Sequence, residues 1–352
     1  MFSYILFFFI ICVGTILTPK LRYHKWFVVV SMFFLWLLIG LRDISVGTDT
    51  RSYVEEFNTI SRLSMSNMWV QAFDNKEPLY VIISWLISSI SNDYTFYLLS
   101  WALFPVVSFY VTFKKELKNS YDCLIAIVVF FLLGLYAFYV AGIRQTAALS
   151  IILLSYKTLY QKKLLKFLIY VFIASFIHSS AIIFIIAYPL CFLEIHWWYI
   201  FILVGVVFIS NLIDLSTVFI VSKYFFGEKY ESYEVGYEST QSSSALIMQI
   251  ILFLICFFKK NRLKEADSSN NVLLILSFVG IIFQSLAGML AEMSRISFYF
   301  CISDIIIVPR ALNEYSKGKT RSLIKLMFVV VCIIYLFFLT SANLPDYKFS
   351  FT

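Results

Sequence analysis

The chain has little charge and few segments that are polar enough to fold in water. Only 14% of its 352 residues are charged, 61% are hydrophobic, and the mean hydropathy is +0.85. Soluble domains carry about 25% charged residues, so the composition excludes a soluble globular domain. Each spanning helix needs roughly 20 apolar residues. The sequence therefore predicts an all-α polytopic membrane protein, a single integral domain over 1–352 with about 12 transmembrane helices (11–13).

Residues that form disulfides or bind metals are also scarce. None of the six cysteines belongs to a C-x-x-C pair, and the three histidines lie far apart in the sequence. The cysteines fall in apolar stretches and are expected to pack as small hydrophobic residues. The sequence has no P-loop, no G-x-S-x-G motif and no D-x-D pattern on a loop. We therefore expect no metal and no cofactor, and no use of ATP or nucleotide sugars.

The basic residues are concentrated in short connections between apolar segments. Most of the 28 Lys and Arg lie in five such connections, at 19–25, 114–118, 157–166, 259–264 and 310–325. Cytoplasmic loops carry the Lys/Arg excess, so these five are predicted to lie inside and both termini outside. The net charge of +7 thus reflects membrane topology, and we expect a lipid bilayer and no nucleic acid as partner.

Two longer polar connections, 42–78 and 214–244, are slightly acidic and are predicted to lie outside. Tyr53, Phe57 and Ile60 indicate a short helix in the first loop. The apolar piece at 79–90 is short for a span, and a crossing there would put the basic residues at 114–118 outside. It is therefore predicted to be a re-entrant or juxtamembrane helix.

Four ionisable residues lie near the predicted outer edge of apolar segments: Arg42, Arg144, Arg295 and His178. Such residues are costly at membrane depth and often mark a functional site. A single arginine can instead extend to lipid phosphates, and a single histidine can simply pack. Guanidinium groups bind phosphate oxygens bidentately, so the three arginines predict a site for a lipid-linked diphosphate, with a carboxylate as the competing ligand.

Three acidic residues each have a structural and a catalytic interpretation. Asp49 and Glu77 could begin the helices that follow them, because Glu77 directly precedes Pro78 and Asp49 precedes the short loop helix. Either carboxylate could instead accept a proton from an attacking sugar hydroxyl. Asp304 lies in the middle of a predicted span, where pairing, packing and catalysis are all open.

Several motifs resemble the Wzy-type polysaccharide polymerases of the EpsG-like subgroup. They are R-D-x-S-V-G-T-D-x-x-x-Y from Arg42 to Tyr53, Glu77-Pro-Leu-Tyr, Gly142-Ile-Arg-Gln, Phe176-Ile-His-Ser-Ser-Ala, and Arg295 with Tyr299. The first departs from the expected pattern, because Thr50 follows Asp49 where an aromatic residue is expected. Together the motifs extend over most of the chain in the expected order.

The resemblance implies an inverting, metal-independent glycosyltransferase of GT-C type with short juxtamembrane helices on an outer loop. Such enzymes act on the outer face of the bacterial inner membrane in O-antigen, capsule or exopolysaccharide synthesis. Undecaprenyl-diphosphate-linked glycans are both donor and acceptor, and the growing chain is transferred to the non-reducing sugar of a new repeat unit. A chain-length co-polymerase and a flippase are the protein partners that it implies.

The resulting site hypothesis gives each residue a role, although the resemblance does not fix the base. His178, Asp49 or Glu77 accepts the acceptor proton. Arg144 and Arg295, with Arg42, bind the donor diphosphate and stabilise the charge that develops on it. Asp43, Tyr53 and Tyr299 support the loop and the acceptor. Tyrosines of the second outer loop offer rings for stacking on acceptor sugars: Tyr224, Tyr230, Tyr233 and Tyr237.

Three alternatives share parts of this pattern. An O-antigen ligase-like enzyme is expected to have its dominant outer loop between late spans, whereas here the larger loop is early. A flippase or transporter is expected to have ionisable residues at the bilayer midplane and broken helices there, which only Asp304 fits. A membrane acyltransferase needs a carboxylate partner for its histidine, which His178 lacks in its local sequence.

Overall fold

A computed structural model describes residues 2–18, 24–74, 77–212, 243–288, 292–339 and 344–351. The first half contains α1 (Phe2–Leu17), α2 (His24–Gly40), α3 (Thr50–Ile60), α4 (Met65–Asp74), α5 (Pro78–Ser88), α6 (Tyr94–Trp101), α7 (Leu103–Glu116), α8 (Ser120–Leu132), α9 (Leu135–Ala141) and α10 (Ile143–Tyr160). The second half contains α11 (Leu164–Ile177), a 3₁₀ helix (Ser179–Ile186), α12 (Ala187–Leu190), α13 (Tyr199–Leu212), α14 (Ser243–Phe257), α15 (Lys260–Ala266), α16 (Ser269–Ser285), a 3₁₀ turn (Leu286–Gly288), α17 (Glu292–Cys301), α18 (Asp304–Asn313), α19 (Gly318–Ile334) and a π-helical turn (Tyr335–Leu339). The described part of the chain is thus all-helical, as predicted from the sequence, and its many apolar helices are consistent with a polytopic membrane protein.

The number of spans differs from a simple count of apolar segments. Within the described residues, Tyr94–Glu116 and Gly318–Phe338 are long and apolar enough to cross a membrane alone. Three bent helix pairs bring the number to 5 if each is one span, and the other apolar helices are 10–17 residues long. The predicted number of twelve is therefore not confirmed. The apolar segments are broken at specific residues, such as Gly134, whose φ of 71° separates α8 from α9.

The central helices are buried on nearly all sides. Nearly all of α8 and most of α10, α16 and α18 are buried, whereas α1, α2 and α19 expose large apolar side chains. An apolar outer surface is expected where lipid replaces water. We call these four buried helices, α8, α10, α16 and α18, the frame. Polar groups are brought together at its two ends.

One end of this frame collects the basic connections. A cavity of about 780 Å³ there is lined by residues from four of the five basic connections, including Lys115, Lys157, Lys264 and Arg310. This grouping agrees with the prediction that the basic connections share one side.

Two ion pairs join helices at the same end, one of them partly buried and the other fully buried, and we call them the Arg310–Lys325 cluster. The guanidinium of Arg310 pairs with the carboxylate of Glu116 and donates to Asn270 Oδ1 at 2.7 Å. The ammonium of Lys325 lies 2.5 Å from Asp122 Oδ1, and both side chains are at most 5% exposed. Asn119 and Asn313 donate further hydrogen bonds to the Asp122 carboxylate. These pairs join α7, α8, α18 and α19.

The opposite end is formed by the first predicted outer loop, which folds into α3 and α4 before α5. The short helix indicated by Tyr53, Phe57 and Ile60 is confirmed, since all three are buried on one face of α3. Helix α5 has only 11 residues, too few to cross a bilayer straight. The second predicted outer loop, with its four tyrosines, lies outside the described residues except for its last two positions, which begin α14.

Candidate active site

Three residues far apart in the sequence meet at the end of the frame that carries α3, α4 and α5. Glu77 Oε1 lies 2.5 Å from His178 Nδ1, and Glu77 Oε2 lies 3.0 Å from a terminal nitrogen of Arg144. The backbone N–H of Ser179 also donates to Glu77 Oε1 at 3.1 Å. The Glu77 side chain is 8% exposed, whereas His178 is 25% and Arg144 30% exposed. The buried carboxylate therefore lies behind two partly accessible groups, and we call them the Glu77–His178–Arg144 cluster.

Breaks between helices position each member. Helix α5 begins at Pro78, so Glu77 is its N-cap residue, but its side chain makes no capping hydrogen bond. The carboxylate is therefore available to His178 and Arg144. His178 follows the last residue of α11 in an extended conformation and precedes the 3₁₀ helix.

Arg144 lies in the first turn of α10, where the helix dipole disfavours a cation. Two carboxylates compensate, because Glu77 contacts the guanidinium and Glu56 Oε1 lies 3.9 Å from it. The rings of Tyr53 and Tyr80 lie 5.3 and 5.1 Å from the guanidinium carbon, within cation–π distance. Arg144 is thus fixed in place while part of its surface stays accessible.

The electrostatics favour an ionised Glu77. Burial opposes ionisation, but the hydrogen bond and charge of His178 and the charge of Arg144 lower the pKa of Glu77 below its ordinary value. An ionised carboxylate accepts hydrogen bonds only, so His178 Nδ1 is the donor in this pair. In the neutral imidazole Nε2 then carries the lone pair. Nε2 makes no hydrogen bond with another described residue.

A second set of polar contacts lies next to His178. The Ser180 hydroxyl is 3.1 Å from the Tyr299 hydroxyl, and the Gln145 amide donates to the backbone carbonyl of Arg295 at 3.0 Å. The Arg295 backbone thus lies against the helix turn that carries Arg144. The Arg295 side chain is exposed. Tyr299 and Tyr53 are both buried.

The remaining predicted site residues lie in the loop before α3, outside the cluster. Arg42 is 1% exposed and donates to Ile39 O at 2.5 Å and Thr50 Oγ1 at 3.4 Å. Asp43 Oδ1 accepts from the backbone and hydroxyl of Ser45. Asp49 is the N-cap residue of α3 but makes no side-chain capping hydrogen bond. The structure therefore gives Arg42 and Asp43 contacts that hold the loop.

Glu56 is a site residue that the sequence analysis missed. It contacts Arg144 and accepts a hydrogen bond from the Tyr80 hydroxyl at 3.1 Å. A signal for it exists, because Glu56 lies three residues after Tyr53 and so shares a face of α3 with it. The carboxylate partner of His178 was also missed, since Glu77 precedes it by about a hundred residues. His178 therefore has a carboxylate partner in the structure, although none lies near it in the sequence. The lack of one in the local sequence does not argue against the acyltransferase alternative.

Comparison with known proteins assigns the chain to a family. The model of the EpsG family matches residues 25–351, and the chain belongs to this family. EpsG-like proteins are Wzy-type polymerases, so the resemblance of the sequence motifs is confirmed. No curated protein and no solved structure matches the chain.

Proposed function

We propose that this polysaccharide polymerase of the EpsG family transfers a growing glycan from an undecaprenyl-diphosphate carrier to the non-reducing sugar of a new lipid-linked repeat unit. The observation that carries the proposal is the Glu77–His178–Arg144 cluster. It places a basic nitrogen and a phosphate-binding cation on the two oxygens of one buried carboxylate. Glycosyl transfer from a diphosphate needs both groups at once.

The base in this proposal is His178. The acceptor hydroxyl attacks the anomeric carbon of the donor sugar and passes its proton to Nε2, while Glu77 stabilises the imidazolium that forms. The same division of roles operates in Ser-His-Asp triads, where the buried carboxylate fixes the tautomer and orientation of the imidazole. Glu77 itself is less suited as the base, because His178, Arg144 and the Ser179 N–H already occupy its oxygens.

The leaving group in this proposal is bound by arginine. As the bond between the anomeric carbon and the phosphate oxygen breaks, the electron pair moves to the diphosphate, and the charge of Arg144 stabilises it. Arg295, exposed beside the same helix turn, supplies a second guanidinium. We assign the buried Arg42 to the loop instead. Attack from the face opposite the diphosphate gives the inverting, GT-C-type reaction that the resemblance implies, with no metal required.

The proposed site faces the outside of a bacterial inner membrane. Arg144 begins α10, and Lys157 and Tyr160 at its other end line the basic cavity. At 1.5 Å per residue the two ends are about 24 Å apart. Since the basic connections are expected to be cytoplasmic, the cluster lies on the outer side. This is also where lipid-linked repeat units, delivered by a flippase, meet the growing chain and a co-polymerase.

Deletion of the gene tests the proposed function. Surface polysaccharide of the deletion strain is separated on a gel, and we expect loss of the ladder with a single repeat unit retained. Complementation with the intact chain restores the ladder. Long chains in the deletion strain, or loss of even the single unit, would contradict polymerisation.

One observation favours the transporter alternative. Asp304 is 1% exposed and begins α18, which is bent by 46° from α17, and broken helices with a buried carboxylate are typical of transporters. The deletion experiment separates the two functions, because a flippase deletion removes even the single repeat unit from the surface.

A further inference from the structure

We propose that an open cleft beside the Glu77–His178–Arg144 cluster binds the sugars of the lipid-linked glycan. The inference rests on the proposed function and assigns it a substrate subsite. The cleft has a volume of about 720 Å³, within the range of small-molecule sites. Its walls are the loop from Ile44 to Thr48 with Arg51, the α9 residues Ala137 and Ala141, and the C-terminal segment from Leu344 to Asp346.

The walls are held in place by contacts from several parts of the chain. Gly47 has a φ of 91°, and a Cβ there would lie 2.3 Å from Val140 O. The Thr50 hydroxyl lies 3.0 Å from the same carbonyl, so the loop packs directly on the end of α9. On the other wall the Tyr4 hydroxyl donates to Pro345 O at 2.8 Å. The walls of the cleft are therefore fixed by packing and hydrogen bonds within the fold.

The C-terminal wall is joined to the loop by backbone hydrogen bonds. The Asp43 N–H donates to Lys348 O, and the Ser350 N–H donates to Leu41 O, each at 2.9 Å. This pairing places Asp346 and Arg51 on the same cleft although they are far apart in the sequence.

The chemistry of the lining fits a glycan. One cation, Arg51, and one anion, Asp346, lie among the hydroxyls of Ser45 and Thr48 and small aliphatic side chains. The side chains of Thr48, Arg51 and Asp346 make no hydrogen bond or ion pair with another described residue. A guanidinium offers donors and a carboxylate offers acceptors, which suits sugar hydroxyls, since each both donates and accepts. A phosphate group fits less well, because the single cation is opposed by a carboxylate.

Residues from two walls of the cleft lie close in sequence to residues of the proposed reaction centre. Ala141 lies three residues before Arg144, at the end of α9. Arg51 lies two residues before Tyr53, whose ring contacts the Arg144 guanidinium. The wall of the cleft and the proposed diphosphate site therefore share the turn from α9 to α10.

Binding of carrier-free glycan to the detergent-solubilised full chain tests the proposal. The probes are the host's single repeat unit, released from its carrier by mild acid, and the released long polymer, with binding measured by saturation-transfer NMR and titration. Preferential binding of the single unit identifies the cleft as the acceptor site, and preferential binding of the polymer identifies it as the donor site.

Matched variants locate the binding in the cleft. Arg51→Ala and Asp346→Ala each remove a charged hydrogen-bonding group and are expected to weaken glycan binding about tenfold. Arg62→Ala removes an exposed arginine just after α3 that does not line the cleft, and it is expected to bind normally. Ala141→Trp fills the cleft and is expected to abolish binding, whereas Phe138→Trp on the same helix is not. Size-exclusion profiles confirm that each variant is folded.

The outcomes separate this inference from the proposed function. Normal glycan binding by folded Arg51→Ala and Asp346→Ala variants would overturn the cleft assignment, even if the chain polymerises. Failure of the intact chain to bind either probe would overturn it as well. Cleft-dependent binding by a chain that does not polymerise would support the cleft and contradict the proposed function. Glu77→Gln is expected to bind glycan normally but to polymerise poorly.

Discussion

The two ends of the helical frame use charged residues in different ways. In the Arg310–Lys325 cluster, Arg310 and Asp122 are surrounded by partners, and the Asp122–Lys325 pair is at most 5% exposed. In the Glu77–His178–Arg144 cluster only the carboxylate is buried, and its two partners are 25% and 30% exposed. One cluster joins helices, and the other leaves two of its charged or polar side chains partly accessible, as the proposed function requires. An ion pair therefore does not by itself indicate a functional site. The exposure of its side chains to a ligand is what distinguishes the two clusters.

Removal of the His178 imidazole is predicted to cause the largest loss of polymerisation rate. His178→Ala removes the proposed general base, which typically contributes about 10²- to 10⁴-fold to a rate. We expect a decrease of this size in the polymerisation rate of purified lipid-linked repeat units, with normal protein levels in the membrane. The control is His196→Ala, which removes an exposed histidine of the chain. A His178→Ala variant with more than half of the intact rate would refute the base assignment.

Substitution of Arg144 tests the second accessible group. Arg144→Ala is expected to lower the polymerisation rate by about 10²- to 10³-fold, the usual loss when one charge-stabilising donor is removed. Arg144→Lys keeps the charge but loses the planar guanidinium, so we expect a smaller decrease. Equal rates for the Lys variant and the intact chain would show that bidentate binding is not used. Arg262→Ala, at an exposed arginine of the basic end, is the control.

The Arg310–Lys325 cluster is predicted to respond in stability. Lys325→Met leaves the Asp122 carboxylate buried without its cation, and breaking a buried pair in this way costs about 3–5 kcal/mol. The free energy of unfolding in detergent should fall by that amount, while the activity of the remaining folded protein stays normal. Glu77→Gln should show the opposite weighting, with a large loss of activity and a much smaller loss of stability, because the Gln carbonyl can still accept from His178 and Ser179. If Lys325→Met lost activity at full stability, the contrast between the two ends would not hold.

Low pH is predicted to have a smaller effect on stability, which arises from Glu77 in the Glu77–His178–Arg144 cluster. Because the pKa of Glu77 is lowered in the folded protein, its ionisation stabilises the fold above the ordinary pKa of 4.5. That contribution is lost as the pH falls through the lower, folded-state pKa. The difference in thermal stability between the intact chain and Glu77→Gln should be constant from about pH 6 to 8 and shrink below about pH 4.5. A difference that grows in acid would give Glu77 a raised pKa instead.

Sequence patterns predicted the membrane class and the helix in the first outer loop, because these depend on local composition and periodicity. The motifs also indicated the correct family. The patterns could not pair Glu77 with His178, since that contact depends on how α5 packs against the end of α11. They also could not predict that Arg42 is buried whereas Arg144 is partly accessible. Both follow apolar segments, but one lies under a loop and the other at an exposed helix start.

The span number was beyond sequence reasoning for a related reason. Apolar length indicates a span only when the helix is continuous, and here several apolar stretches are interrupted. Gly134 adopts a left-handed conformation between α8 and α9, and residues 302–303 separate α17 from α18. A hydropathy pattern gives the total apolar length but not the bends within it.

A double-mutant cycle between Glu77→Gln and His178→Ala tests the central claim most directly. The polymerisation rate of purified lipid-linked repeat units is measured for the intact chain, both single variants and the double variant. If the carboxylate acts by orienting the imidazole, the double variant should be no slower than His178→Ala alone, because residues that act as a unit are not additive. Losses that multiply across the two substitutions would contradict that account.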